Sequence, residues 1–209
     1  LESGQLGYRA PRDALKPQLL STFKQYKPEI VAFLRERAAV ASGTQRSYPL
    51  SQGQLGLWLD WQAAPQSPRY NLLTVYSLPA GVDLDVLRRA AQALLSRHPI
   101  PRTIYPLLEE SDEAHPVQMV QAEQRVDFEI VDGTGFTQSQ VAAFIQATAE
   151  RPFDLLTGPI MRMAVLRTAS IPGREDAFLL WTIHHIATDY STQQVLLTEL
   201  GAGYERLRA

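Results

Sequence analysis

The chain has 209 residues, of which 45% are hydrophobic and 20% are charged, a balance typical of a globular protein with a well-formed core. Its formal net charge of −2 lacks the lysine and arginine excess of a nucleic-acid-binding protein, and the absence of cysteine excludes disulfides, thiolate nucleophiles and cysteine zinc sites. Because no apolar run is long enough to span a bilayer and no secretory leader is visible, we expect a cytoplasmic protein that binds neither nucleic acid nor membrane.

The first 38 residues have the pattern of a separate unit. Residues 5–10 (QLGYRA) suit one strand of a hairpin, and apolar residues at helical spacing predict helices over 15–26 and 28–37. Residues 39–47 are small and polar, which is typical of a linker. Residues 48–209 then form the main domain. Since the sequence begins at Leu1 and ends inside a helical pattern, we expect a piece of a longer protein.

The main domain alternates between helical and strand patterns. Apolar residues at helical spacing predict four helices, over 52–62, over 84–98 with Asp83 as its cap, over 138–151 and over 192–207. Runs rich in β-forming residues predict strands over 70–78, 117–121, 126–131, 160–168 and 177–183. This order predicts an α/β (α+β) fold, with a mixed sheet and flanking helices.

Two further features refine the predicted helices. Thr137 with Gln140, and Ser191 with Gln194, have the spacing of a capping box, which marks the start of a helix. Trp58 and Trp61 lie three residues apart on the first helix of the main domain, a spacing that favours core packing over ligand binding.

The segment HHIATD, from His184 to Asp189, directly follows the last predicted strand. The two histidines therefore lie on a loop at a strand end, where catalytic groups are often presented. Histidine accepts or donates a proton near neutral pH, and Asp189 can either cap the following helix or hold a cationic partner. Because no third ligand is spaced nearby, we expect no metal here; a purely structural loop is the other interpretation.

Three segments resemble, in order, the motifs of the condensation domains of nonribosomal peptide synthetases. They are Ser51–Leu59 (SQGQLGLWL), Arg97–Tyr105 (RHPIPRTIY) and the HHIATD segment. The resemblance implies a chloramphenicol-acetyltransferase-like fold for residues 48–209, as the N-terminal lobe of a two-lobed domain with its active site between the lobes. The second lobe is absent from this sequence, so we expect the chain alone to be inactive.

The resemblance also implies a reaction, in which an acceptor amine attacks a donor acyl thioester. Both substrates would be carried on phosphopantetheine arms of upstream and downstream carrier domains, so no cofactor binds this chain directly. His185 matches the catalytic histidine, as a general base or as a group that orients the nucleophile. His184 would orient the loop. Asp189 would pair with Arg102 to fix the loop.

Two positions differ from the family pattern. Tyr190 stands where the family usually has glycine, beside the active-site motif, and Gly56 stands where arginine is frequent in the first motif. A tyrosine at this place is bulky and brings a hydroxyl group. These differences favour a specialised subtype or a hybrid polyketide/peptide synthase.

The N-terminal unit resembles a β-hairpin docking domain of the TubC type, on the residues Tyr8 to Pro11 and the helical pattern that follows. The resemblance implies a partner, the acidic short linear motif at the C-terminus of an upstream synthase subunit, bound by strand addition or in a groove. The candidate contacts are Tyr8, Arg9, Arg12, Lys16 and Lys24.

Two other functions are compatible with the sequence. One is a different HHxxxD acyltransferase, which would use a free coenzyme A thioester or form an ester. The other is a non-catalytic docking or interaction module, in which the N-terminal unit would be the working part.

Overall fold

The computed structural model describes residues 26–28, 30, 47–110, 113–171 and 174–209. The chain divides into two compact units, Leu1–Arg46 and Ser47–Ala209. In the first unit, Lys27, Pro28 and Ile30 are helical, and the Ile30 N–H donates to the Tyr26 carbonyl, in agreement with the helix predicted to begin at Pro28. The predicted hairpin, residues 15–25 of the other helix and residues 39–46 of the linker lie outside the described residues. Ser47, the predicted last residue of the linker, instead begins a strand.

The second unit contains four α-helices and eight strands in its described residues. The helices are α1 Gln52–Ala63, α2 Leu84–Arg97, α3 Gln138–Glu150 and α4 Tyr190–Arg208. The strands are β1 Ser47–Pro49, β2 Asn71–Leu78, β3 Thr103–Ile104, β4 Leu107–Glu110, β5 Glu113–Val120, β6 Asp127–Gly133, β7 Met161–Ile171 and β8 Arg174–His184. Each predicted helix and strand of this unit is present, with shifted ends.

The larger sheet has the strand order β2-β8-β7-β6. Strands β6 and β7 are parallel, whereas β7–β8 and β8–β2 are antiparallel, which makes the sheet mixed, as predicted. Strand β8 lies in the interior of this sheet, so its end is held on both sides. Asn71 of β2 lies opposite His184, and Met161 of β7 lies opposite Ile183.

A second, smaller sheet forms around β5, which pairs with β1, β3 and β4. The sequence did not predict β1, β3 or β4. These strands have two to four residues, too few for an alternating pattern to be recognised, and they are stabilised by pairing with β5. Their pairing brings the second motif, around Arg102, beside the end of β5.

Helices cover both faces of the larger sheet. Side chains alternate along each strand, so Met163 and Trp181 face the main core, which α1, α2 and α4 complete with Trp58, Leu95 and Leu200 among others. On the opposite face, Ala164, Leu166 and Leu180 pack against Val141, Phe144 and Ile145 of α3. The predicted core positions of Trp58 and Trp61 are confirmed, with 2% and 9% of these residues exposed.

The helix starts show which capping predictions hold. Asp83 caps α2 by accepting from the Asp85 and Val86 N–H groups, and the capping box of Thr137 and Gln140 begins α3, as predicted. The predicted box of Ser191 and Gln194 is wrong, because α4 begins earlier and Asp189 is its cap. A carboxylate at this position accepts a backbone N–H and also interacts favourably with the positive end of the helix dipole.

Among the described residues, no helix combines the length and the apolar character needed to cross a membrane.

Candidate active site

Strand β8 carries the two histidines to the edge of the main core. His184 is its last residue and is 3% exposed, whereas His185 is exposed and begins a 3₁₀ turn, His185–Ala187. The chain then enters α4 at Tyr190. The histidines therefore lie at a strand end, as predicted, and neighbouring positions give them opposite environments.

His184 is held inside the protein as a neutral ring. Its Nδ1 accepts from the Ile186 N–H at 3.1 Å, and the rings of Tyr70 and Phe153 lie edge-on at 6.1 Å. Burial, and secondarily the charge of His185, lower the pKa of His184 to about 4. With Nδ1 as acceptor, the neutral ring carries its proton on Nε2. This geometry links His184 to the turn, but its orienting role stays a prediction.

His185 has the opposite tautomer. Its Nδ1 lies 2.7 Å from the Thr188 carbonyl oxygen, and since a carbonyl only accepts, Nδ1 is the donor. In the neutral ring this leaves the lone pair of Nε2 free to accept a proton. The backbone N–H of His185 donates to the Tyr70 carbonyl, which ties the turn to the start of β2. The arrangement suits a general base at Nε2.

The 3₁₀ turn is also held from α1 and from the second motif. The Ile186 carbonyl accepts from Gln54 Nε2 at 3.2 Å and from the hydroxyl of Tyr105 at 3.4 Å. Sequence reasoning did not select Gln54 or Tyr105 as site residues. Both lie inside the quoted motifs, which is the signal that would have pointed to them.

Arg102 and Asp189 are not paired in the structure, so the predicted contact between them is wrong. The Arg102 guanidinium donates to the Gln121 and Ala122 carbonyls, and burial alone lowers its pKa. Asp189 accepts from the Thr192 N–H at 2.6 Å, and this bond holds the pKa of its carboxyl below the ordinary value. Both side chains bond to backbone groups instead of to each other. Arg102 bonds to carbonyls that follow β5, and Asp189 bonds to an N–H at the start of α4.

Both residues that differ from the family pattern, Gly56 and Tyr190, are exposed to solvent. Tyr190 is 77% exposed, the largest exposed fraction among the large apolar side chains of the described residues. A Cβ atom added at Gly56 would meet no atom within 4 Å, so packing does not exclude a larger side chain there. The specialised or hybrid subtype that these two residues favour stays a prediction.

The docking candidates Tyr8, Arg9, Arg12, Lys16 and Lys24 lie outside the described residues.

The low pKa of His184 predicts a stability that depends on pH. An unfolded histidine takes up its proton near pH 6.5, whereas folded His184 resists protonation down to about pH 4. Stability is therefore complete above pH 6.5 and falls as the pH decreases towards 4, by about 3 kcal/mol in total. Urea unfolding across this range should show the loss in the wild type and a shallower one in His184→Gln. Parallel curves for the two proteins would contradict a buried neutral His184.

Comparison with known proteins shows matches over both units. The family described as Condensation domain matches residues 44–209, and the family described as TubC N-terminal docking domain matches residues 1–36. Tyrocidine synthase 2 of Brevibacillus parabrevis is 32% identical over 161 residues, which are 77% of this chain and 4% of that protein. Bacitracin synthase 2 of Bacillus licheniformis is 25% identical over 205 residues, which are 94% of this chain and 7% of that protein.

Solved structures show the same fold. The starter condensation domain of rhizomide synthetase RzmA superposes with a TM-score of 0.67 at 21% identity, covering 78% of this chain and 38% of that one. The chain thus spans a small part of the curated relatives and less than half of this structural neighbour. The main unit has the chloramphenicol-acetyltransferase-like fold of condensation domains, and the predicted fold class is confirmed. Because the Condensation domain match covers most of the chain, this chain belongs to the condensation domain family.

Proposed function

We propose that residues 48–209 are the N-terminal lobe of a condensation domain that joins a carrier-bound donor acyl thioester to an acceptor amine. One observation carries the proposal. His185 is exposed at the end of an interior strand, with Nδ1 fixed as a donor to the Thr188 carbonyl and Nε2 free. A proton acceptor in fixed orientation is what amine attack on a thioester requires.

In the proposed reaction, the amine nitrogen forms a bond to the thioester carbonyl carbon and gives a tetrahedral intermediate. His185 Nε2 takes the proton that the nitrogen loses. The C–S bond then breaks, and the thiolate of the donor phosphopantetheine arm leaves as a thiol by taking the proton from His185 Nε2, which restores the neutral ring. The arms belong to upstream and downstream carrier domains, so this chain supplies the base and binds no cofactor itself. The relatives named as synthases are consistent with such partners.

This chain covers less than half of its structural neighbour, which supports an active site formed by two lobes. Since this chain matches 38% of that domain, we propose that a second lobe completes the substrate tunnel and that the chain alone is inactive. The full-length protein should form the amide from a donor and an acceptor loaded on their carriers. Product from a free acyl coenzyme A donor alone would instead favour the other type of HHxxxD acyltransferase.

We further propose that residues 1–38 form a docking domain and residues 39–46 a linker. The docking-family match ends at residue 36 and the condensation-family match begins at residue 44, which leaves a short segment between them. The partner would be the acidic C-terminal motif of an upstream synthase subunit, and Tyr8, Arg9, Arg12, Lys16 and Lys24 would contact it.

Charge reversal at Arg9 and Arg12 is therefore expected to weaken transfer from the upstream subunit. Exposed charge pairs are screened beyond about 8–10 Å at physiological ionic strength, so the binding should also weaken as salt is added. Titration of the upstream C-terminal peptide into the wild type and the reversed variant measures both effects. As a control, condensation with a donor carrier fused directly to the chain should not change. Unchanged transfer after deletion of residues 1–38 would refute the docking proposal.

A further inference from the structure

The side chain of Gln54 has one fixed orientation. Its Oε1 accepts from the Ser51 N–H at 3.0 Å, as the returning half of the capping box that begins α1. Its Nε2 therefore points away from the helix start, where it donates to the Ile186 carbonyl at 3.2 Å and to Gln118 Oε1 at 3.0 Å. The cap thus aims the amide group at the 3₁₀ turn.

Tyr105 reaches the same carbonyl from another direction. Its side chain is completely buried, and burial raises the pKa of its hydroxyl, so the group stays a neutral donor. The hydroxyl lies 3.4 Å from the Ile186 carbonyl oxygen. The Tyr105 carbonyl accepts from Trp58 Nε1 at 2.9 Å, which fixes its backbone to α1. Helix α1 therefore holds both donors.

Both backbone polar groups of Ile186 are therefore hydrogen-bonded to side chains. Its carbonyl accepts from Gln54 and Tyr105, and its N–H donates to His184 Nδ1 at 3.1 Å. Ile186 is 4% exposed and directly follows His185 in the turn. Because the imidazole of His185 is tied to the same turn at Thr188, any displacement of the Ile186 peptide also displaces the ring.

We propose that Gln54 and Tyr105 are positioning residues that hold the turn so that His185 Nε2 faces the substrate. The proposal rests on the proposed function, since it assigns these two donors a role through His185. Neither side chain contacts the reacting atoms. Their contribution is orientation, and a displacement of about 1 Å in a catalytic group can cost about 10²-fold in rate.

The substitution Gln54→Glu tests the orientation of the His185 turn while it keeps the capping box that starts α1. Glutamate also completes a capping box, so the start of α1 is preserved, but the two amide N–H donors are lost and a carboxylate oxygen faces the Ile186 carbonyl. The second capping box offers a matched control. Gln140 accepts from the Thr137 N–H at 2.8 Å on the exposed start of α3, so Gln140→Glu is the same chemical change at a cap that does not contact the turn.

In the full-length protein, Gln54→Glu should lower kcat about 10- to 100-fold with the KM for the loaded acceptor changed less than twofold. Gln140→Glu should leave both constants within twofold of wild type. Tyr105→Phe removes one hydroxyl and keeps the ring, so it should lower kcat less than Gln54→Glu does. The unfolding midpoint of Gln54→Glu should lie below that of Gln140→Glu, because only Gln54 loses two part-buried hydrogen bonds, but both variants should remain folded under the assay conditions.

A second measurement on this 209-residue chain does not depend on catalysis. Imidazole ¹⁵N resonances of His185 report which ring nitrogen carries the proton, and Gln54→Glu should reduce the preference for Nδ1–H while Gln140→Glu preserves it. Equal resonances in Gln54→Glu and wild type, or equal kcat in the two glutamate variants, would overturn the positioning role. A wild-type protein that forms no amide while its His185 resonances still respond to Gln54→Glu would refute the proposed function alone.

Discussion

Replacement of His185 with alanine is expected to lower the rate of condensation about 10²- to 10⁴-fold in the full-length protein, because a positioned proton acceptor is lost. The His185 ring is exposed and its one side-chain hydrogen bond is to the Thr188 carbonyl, so the free energy of unfolding of this chain should fall by only about 1 kcal/mol. The rate is measured with donor and acceptor loaded on their carrier domains, by quantifying the amide product in a single turnover.

A matched control is His115→Ala, which removes an exposed histidine from β5, outside the 3₁₀ turn. Its rate should equal that of the wild type. If His185→Ala retains a rate within a few-fold of wild type, the catalytic role is wrong, although the fold and the family are unaffected. A loss of rate in both variants would also count against His185, since it would show a general sensitivity to histidine removal.

Replacement of Trp58 with alanine is expected to reduce the free energy of unfolding by about 3–5 kcal/mol. The residue is 2% exposed, its ring centroid lies 6.3 Å from that of Trp61, and its Nε1 donates to the buried Tyr105 carbonyl at 2.9 Å. The substitution therefore leaves a cavity in the main core and an unsatisfied carbonyl. Urea unfolding followed by far-ultraviolet circular dichroism measures the change without relying on tryptophan fluorescence.

The next residue along the same helix provides the comparison. Leu59 is 52% exposed, so Leu59→Ala should change the free energy of unfolding by no more than about 0.5 kcal/mol. Equal losses in the two variants would show that the structure assigns the wrong face of α1 to the core. A large loss confined to Trp58→Ala would agree with the role of α1 in supporting the turn at His185.

Features that depend on local patterns could be predicted from the amino-acid sequence. Apolar periodicity predicted the four helices and the five longer strands, because each has enough residues to show which side faces the core. Asp83 and Thr137 were predicted as caps, since a cap needs only its own helix start. The strand-end position of His184 and His185 followed for the same reason, from the apolar run before them and the helix after them.

Contacts between side chains that are far apart in the sequence depend on the tertiary fold. Asp189 had two compatible partners, a helix start or a cation, and it caps α4 because that backbone N–H is nearest, while the Arg102 guanidinium lies against carbonyls after β5. Gln54 and Tyr105 converge on Ile186 from positions 132 and 81 residues away along the chain. Hydrogen bonds require heavy atoms within about 3.5 Å, and such distances between remote residues are set by how the whole core packs rather than by any local pattern.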